Sequence, residues 1–199
     1  MKLFIRLISA TLIGIVLSSG MLANAAETSI RSIRGFLPDL SFTLSSAGNQ
    51  TFTEKNLRGK LAIVFFGYAS CPDICPTTMA HLAQVMENLG DKSDKARIVF
   101  ISVDPHRDTP DVLQEYVNLF NDKAIGLTGS EKQIQDIARR YRVAYQIEKP
   151  KDSNDKSYEV AHSRGIYIFD SEGKARLLAS DGESIEGLTK AIKDLLQAS

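Results

Sequence analysis

Residues 61–90 read LAIVFFGYASCPDICPTTMAHLAQVMENLG, and their pattern of apolar and polar residues indicates the fold class. Residues 61–68 are an uninterrupted apolar run, rich in β-branched and aromatic side chains, which predicts a strand buried on both faces. After the cysteines, apolar side chains recur at helical spacing until Gly90, a residue that commonly ends a helix. A buried strand that leads into an amphipathic helix is the first half of an α/β unit.

The rest of the chain continues this alternation of strands and helices. Strands are predicted at 97–104, 124–128 and 143–148, hairpins at 41–53 and 165–179, and a closing helix at 184–197. Further helices begin after the caps Thr109 and Ser130. The helix after Thr109 is expected to bury Val112, Leu113, Tyr116, Val117 and Phe120. Residues 26–38 are predicted to be an irregular lead-in and 149–157 an exposed loop. The order predicts an α/β sandwich with a mixed central sheet, flanked by helices and preceded by an N-terminal hairpin.

The first 25 residues have the composition of an export signal. Lys2 and Arg6 precede an uncharged apolar run, and small residues at 23 and 25 form a cleavage site. This order predicts a secretory signal peptide over 1–25, and an uncleaved membrane anchor is the alternative because the run is nearly long enough to span a bilayer. Both alternatives place residues 26–199, expected to form one domain, outside the cytoplasm of a bacterium.

The charge balance excludes one class of partner. The chain has 24 Lys and Arg against 24 Asp and Glu, a formal net charge of zero. A nucleic-acid-binding protein needs a basic face, so we expect no nucleic-acid partner.

Cys71 and Cys75 are the two cysteines of the chain, and they lie between the predicted strand and helix. They are a redox pair, half of a metal site or a structural disulfide. A helix start favours thiolates, and i, i+4 spacing brings both sulfurs to one side of a helical turn. Two thiolates are soft ligands that select Cu(I) or zinc. The disulfide interpretation is the weakest, because so short a loop constrains the unfolded chain little.

A third ligand would come from one of three histidines. His81 lies off the apolar stripe of its helix and His106 lies in a loop, so both are predicted to be surface residues. His162 precedes the last hairpin, where the chain is expected to return to the first strand–helix junction. Met79 and Met86 have the spacing of core residues rather than of thioether ligands.

The charged residues near these groups have two interpretations each. Asp104, Arg107 and Asp108, with the adjacent Pro105, either shape a loop before Thr109 or dock a partner. Asp73, between the cysteines, either tunes the charge of the site or forms a turn.

Three segments together resemble one known family. They are GYASCPDICP at 67–76, ISVDPHRDTP at 101–110 and VAHSRGIYIFDSEGK at 160–174. In this order and at these separations they resemble the SCO/SenC family, over most of residues 36–197. The resemblance implies a thioredoxin-like fold and a part in assembling the copper centre of cytochrome c oxidase. It also implies that Cys71, Cys75 and His162 bind one copper ion, as Cu(I) or Cu(II).

The chain departs from the usual pattern of that family in two places. Ala69 and Ser70 stand where many members have Thr-His, and Ala161 stands where many have an acidic residue. Neither change removes a ligand. The loss of a carboxylate beside a ligand can alter how that ligand is held and how tightly copper binds.

The resemblance leaves two functions open. The first is a periplasmic copper chaperone that delivers copper to the copper-bearing subunit of the oxidase. The second is a thiol–disulfide oxidoreductase, with Cys71 and Cys75 as its reactive groups, that reduces an oxidase subunit or a partner copper chaperone. His162 is needed in the first and dispensable in the second. A peroxidase is disfavoured, because FFGYASC lacks the Pro-x-x-x-Thr/Ser-x-x-Cys pattern. Membrane contact is expected only through an uncleaved N-terminal segment, anchored in the inner membrane.

Overall fold

The computed structural model describes residues 28–148 and 158–198. In chain order its strands are β1 (Arg31–Ser32), β2 (Thr43–Ser46), β3 (Gln50–Thr53), β4 (Leu61–Gly67), β5 (Ala96–Ser102), β6 (Ile125–Leu127), β7 (Tyr145–Ile147), β8 (Val160–His162), β9 (Gly165–Phe169) and β10 (Ala175–Ser180). The helices are α1 (Ile74–Leu89), α2 (Pro110–Asn118), α3 (Glu131–Arg140) and α4 (Ile185–Gln197). Short 3₁₀ segments occupy Ala47–Asn49, Glu54–Leu57 and Gly90–Lys95.

The central sheet is mixed, as the sequence predicts. Its strand order is β1-β10-β9-β4-β5-β6. β4, β5 and β6 run parallel to one another, whereas β9 runs antiparallel to β4. Every residue of β4 is buried, which accounts for its unbroken apolar sequence. α1 packs against α4 and α2 packs against β6.

The predicted caps are present. Thr109 accepts a hydrogen bond from the Val112 N–H, and Ser130 and Gln133 form a reciprocal capping box at the start of α3. One predicted core residue is wrong: Val112 is 43% exposed, because it lies in the first turn of α2 at the edge of the buried stripe.

Two short strands have no counterpart in the sequence prediction. β1 lies in the predicted lead-in and pairs with β10 at the edge of the sheet. β8, which ends at His162, pairs with β7 in a separate two-stranded sheet. Strands this short show no sequence period, so only tertiary pairing defines them.

Two predicted segments lie outside the described residues: the signal peptide or anchor over 1–25 and the loop over 149–157. Within 28–148 and 158–198, no helix combines the length and apolar character needed to cross a membrane.

We predict that Gly67→Ala destabilises the fold through a clash. Gly67 ends β4, and a Cβ there would lie 2.8 Å from the Cys75 Sγ and 2.9 Å from the Phe100 ring, both of them buried. We expect the free energy of unfolding in urea to fall by about 1–3 kcal/mol. Gly182→Ala is the matched control, since its nearest neighbour would be the Ser180 Oγ at 3.7 Å. Equal stability of the two variants would contradict the prediction.

Candidate metal centre

The two cysteines lie in different secondary structure. α1 begins at Ile74, so Cys75 lies in its first turn, while Cys71 lies in the loop before it. The Cys71 N–H donates to the Tyr68 carbonyl at 3.2 Å, which curls this loop back toward β4. The prediction that both sulfurs share a helical turn is therefore wrong for Cys71. Its Sγ instead accepts a hydrogen bond from the Cys75 N–H at 3.4 Å, as a capping side chain does.

His162 reaches the cysteines from a distant part of the chain. It ends β8 opposite Tyr145, and its ring packs edge-on against Phe65 and Tyr68, with centroids 6.1 Å and 6.0 Å away. The Nδ1 lies 3.0 Å from the Ser163 carbonyl, which can only accept a hydrogen bond. The proton of the neutral ring is thus held at Nδ1, and the Nε2 lone pair faces the Cys75 Sγ at 3.4 Å.

The structure therefore brings the predicted residues together. The donor atoms of Cys71, Cys75 and His162 all lie within 4.8 Å of one another, and both thiols are free. Two sulfurs that share one ion lie at most roughly 4.6 Å apart, since each metal–sulfur bond is about 2.3 Å. Shifts of a few tenths of an ångström would let one ion contact all three side chains. Two sulfurs and an imidazole suit a soft or borderline ion, copper or zinc, rather than a hard cation.

Burial makes the thiols unequal. Burial raises the pKa of Cys75 well above its ordinary value, because the side chain is fully enclosed. Partial burial also acts to raise the pKa of Cys71, but the N–H groups of Cys75 and Asp73 outweigh it, and the pKa is lowered. The prediction that the helix start favours both thiolates thus fails for Cys75. Burial also lowers the pKa of His162, which keeps the imidazole neutral at neutral pH.

The other candidate residues lie elsewhere. His106 is 53% exposed and pairs with Glu131, as expected of a surface residue. His81 is only partly exposed and its Nδ1 is buried without a hydrogen bond among the described residues, so the prediction of a solvated side chain is wrong. Met79 and Met86 are buried in the core, as predicted.

A family model described as SCO1/SenC matches residues 36–197. The chain belongs to the SCO1/SenC family. Among its relatives, an SCO2-like protein of Rickettsia prowazekii is 40% identical over 133 residues, or 67% of this chain and 64% of the relative. Protein SCO2 of Saccharomyces cerevisiae mitochondria is 39% identical over 159 residues, or 79% of this chain and 52% of the relative. The match thus spans less than two thirds of the length of these curated relatives.

Solved structures of SCO proteins share the fold. Arabidopsis thaliana ScoI, crystallised with copper bound, is 36% identical with a TM-score of 0.73, covering 81% of this chain and 99% of that one. Yeast Sco1 with copper bound is 32% identical with a TM-score of 0.68, covering 78% and 90%. These likenesses confirm the thioredoxin-like fold that the sequence resemblance implies.

In this SCO1/SenC protein, Ala161 is one of the two departures from the family pattern, and its side chain points away from the metal centre. Ala161 is exposed, and it precedes His162 directly in β8. Successive side chains of a strand point to opposite faces, so a carboxylate at 161 would leave β8 on the side opposite the imidazole. At the other departure, Ala69, the backbone N–H donates to the Asp108 carboxylate at 3.0 Å. This contact does not depend on the side chain at position 69.

Asp108 supports the loop that carries the cysteines. Its carboxylate accepts the Ala69 N–H and a 2.6 Å hydrogen bond from the Ser102 hydroxyl, and it is 1% exposed. Burial raises the pKa of Asp108. Because Asp104 is also fully buried, neither carboxylate is available to dock a partner, and the loop-shaping interpretation of these residues is the one that the structure supports.

Arg107 joins this loop to the strand that carries His162. Its guanidinium pairs with Asp104, donates to the Tyr158 carbonyl at 2.8 Å and stacks on the Tyr158 ring, 3.7 Å from its centroid. The Tyr158 hydroxyl donates in turn to Asp104 at 2.8 Å. This bracket of Asp104, Arg107 and Tyr158 holds the chain two residues before β8. Sequence reasoning missed Tyr158, because nothing local marks its contact with a loop some fifty residues earlier.

We predict that Arg107→Met loosens the histidine strand. Removing the guanidinium leaves the buried Asp104 without its cation, which destabilises a protein by about 3–5 kcal/mol. We expect that loss in urea unfolding, together with faster amide hydrogen exchange at 160–162. Arg139→Met is the control, since Arg139 is 80% exposed and 4.0 Å from its partner, so the change should be within about 0.5 kcal/mol. Unchanged exchange at 160–162 in Arg107→Met would disprove the bracket.

We also predict that the reduced, metal-free thiols react unequally. Cys71 is partly exposed with a lowered pKa, whereas Cys75 is enclosed with a raised one. Iodoacetamide should therefore modify Cys71 at least about tenfold faster, as peptide mass spectrometry over time would show. Cys71→Ser tests the enclosure directly, because Cys75 should stay slow in that variant. Equal rates at the two positions would refute this assignment.

Proposed function

We propose that this SCO1/SenC protein is a copper chaperone that binds one ion, as Cu(I) or Cu(II), through Cys71, Cys75 and His162. Its receiver is the copper-bearing subunit of cytochrome c oxidase. The observation that supports this most directly is the convergence of two thiols and an imidazole within 4.8 Å. The copper-bound relatives from Arabidopsis and yeast add support from two homologous chains.

The cellular setting is part of the proposal. Residues 1–25 would serve as an export signal or an inner-membrane anchor, and 26–199 would work as one domain in the periplasm. There the protein would meet the oxidase subunit and another periplasmic copper chaperone. The balanced charge of the chain gives no reason to expect a nucleic-acid partner.

The metal-free site sets the chemistry of loading. Cys75 is protonated at neutral pH because burial raises its pKa, so a metal must displace its proton. His162 offers an Nε2 lone pair without losing a proton. Binding would thus release protons from the thiols and would weaken as the pH falls.

A thiol–disulfide oxidoreductase is the second candidate, and the inequality of the thiols favours it. The Cys71 thiolate would attack a disulfide of an oxidase subunit or a partner copper chaperone, forming a mixed disulfide and releasing one partner thiol. Cys75 would then attack the Cys71 sulfur, releasing the second partner thiol and leaving a Cys71–Cys75 disulfide. Both functions use the same cysteines, but only the chaperone requires His162.

Copper titration of the reduced protein under anaerobic conditions separates the two functions. We expect one equivalent of Cu(I) to bind, and Cys71→Ser, Cys75→Ser and His162→Ala each to weaken binding at least about tenfold, because each removes one ligand. With Cu(II), the wild type should show a sulfur-to-copper charge-transfer band. His106→Ala is the matched control, since its imidazole is exposed and paired with Glu131, and it should bind copper normally.

The same experiment can also favour the oxidoreductase. If His162→Ala binds copper as tightly as the wild type and still reduces a model disulfide, the chaperone proposal fails and the oxidoreductase remains.

A further inference from the structure

A cleft of about 480 Å³ lies beside the strand that carries His162, on the side of the sheet edge. It is lined by Arg31, Ser32, Ile33, Phe36, Leu37, Tyr141, Arg142, Ser163, Gly165, Tyr167 and Leu178. Its volume is within the range of ligand sites, and its walls are mainly apolar. Phe36, at 72% exposed, is a large apolar side chain left open to solvent at this cleft.

The Tyr141 and Ser163 hydroxyls of the cleft are hydrogen-bonded to backbone groups, whereas three other polar side chains are not paired among the described residues. Tyr167 is 4% exposed, and its hydroxyl, which keeps contact with solvent, makes no hydrogen bond within the described residues. Arg31 and Arg142 form no ion pair within 28–148 and 158–198, and no acidic side chain lines the cleft. Two cations and a hydroxyl, set in apolar walls, are complementary to a carboxylate carried next to an apolar group.

Arg142 has a backbone conformation that favours glycine. It follows Tyr141 at the end of α3, with φ +55°. Glycine adopts this left-handed geometry without steric cost, whereas a residue with a Cβ does not. Strain of this kind clusters at functional sites, and here it accompanies a guanidinium that lines the cleft.

Two features favour a polypeptide as the occupant. β1, which contributes Arg31 and Ser32, is the edge strand of the sheet, and an edge strand offers main-chain groups to an extended peptide. Ser163 and Gly165, which line the cleft, follow His162 by one and three residues, so the segment that carries the imidazole also forms part of the cleft wall. A partner held in the cleft would contact that segment.

We propose that this cleft docks an extended segment of the copper-receiving partner, one in which Asp or Glu carboxylates alternate with aromatic or aliphatic side chains. Arg31 and Arg142 bind the carboxylates, the Tyr167 hydroxyl donates to one of them, and Phe36 and Leu178 pack against the apolar side chains. The identity of the partner rests on the proposed function, whereas the binding chemistry does not.

The test is fluorescence anisotropy with a labelled pentapeptide, Asp-Phe-Asp-Leu-Glu, blocked at both ends, added to the full, reduced, copper-free protein. We expect saturable binding below about 1 mM. Arg31→Ser and Arg142→Gly should each weaken it at least about fivefold, and Tyr167→Phe at least about threefold. Arg34→Ser, which changes an exposed arginine outside the cleft, should leave it within about twofold. The peptide Asp-Ser-Asp-Ser-Glu, without apolar side chains, should bind poorly.

Arg142→Gly distinguishes lost recognition from lost folding. Since glycine suits the left-handed backbone, this variant should unfold at a higher temperature than the wild type while binding the peptide more weakly. Unchanged peptide affinity in Arg142→Gly would overturn the proposal. An equal loss in Arg34→Ser would also overturn it, because nonspecific charge attraction would then explain the binding.

Further measurements distinguish this proposal from self-association of the chain and from the proposed copper-binding function. If analytical ultracentrifugation shows a dimer that Arg142→Gly disperses, the occupant is a second copy of the chain and the partner proposal fails. The peptide titration contains no copper, so it measures binding in the cleft independently of metal binding. A chain that fails the copper titration can therefore still pass this test, and one that binds copper can still fail it.

Discussion

The antiparallel pairing of β9 with β4 is the constraint on which the site depends. Phe65 lies opposite Ile166, so the chain that enters β9 must cross the end of β4 where the cysteine loop begins. His162 comes four residues before Ile166 and is carried to the sulfurs by that register. A slip of one residue would move every side chain of β9 to the opposite face, and both faces of this strand are buried. The pairing register of β9 against β4 thus brings the imidazole to the two sulfurs.

The surroundings of the three donor atoms set the protonation state of each one. Phe65, Tyr68 and the core around Cys75 exclude water, and exclusion of water favours the neutral forms of a buried thiol and imidazole. The negative charge of Asp108 acts in the same direction on Cys75. Cys71 is the exception, because backbone N–H groups compensate its charge. The result is one thiol with a lowered pKa, one neutral imidazole and one thiol whose raised pKa keeps it protonated until an ion displaces the proton.

The sequence was informative where the chemistry is local. An unbroken apolar run, capping residues and two cysteines at a strand–helix junction are short-range signals, and they predicted the mixed sheet, the helices and the meeting of Cys71 with Cys75. Residue type alone does not distinguish His162 from His81 or His106; its position before the last hairpin favoured it, and the family resemblance implied it as a ligand. Neither β8 nor the Tyr158 contact with Asp104 leaves a local signal. The difference between the pKa values of the two thiols was also not predicted. Their position at a helix start favours a low pKa for both, and only burial in the folded protein distinguishes Cys75 from Cys71.

The position of the three donors also constrains how an ion would leave under the proposed function. Cys75 is enclosed and His162 is covered by two aromatic rings, so Cys71 is the donor that a partner's ligand can approach from solvent. A transfer that proceeds by exchange of ligands would therefore begin with the partner's ligand beside Cys71. Once the ion departs, the raised pKa of Cys75 favours return of a proton to that sulfur, which opposes recapture of the ion. The same accessibility makes Cys71 the sulfur that would attack a disulfide, so one arrangement of burial accounts for both candidate chemistries. The imidazole is what separates them: it adds a ligand for an ion and adds nothing to the exchange of one disulfide for another.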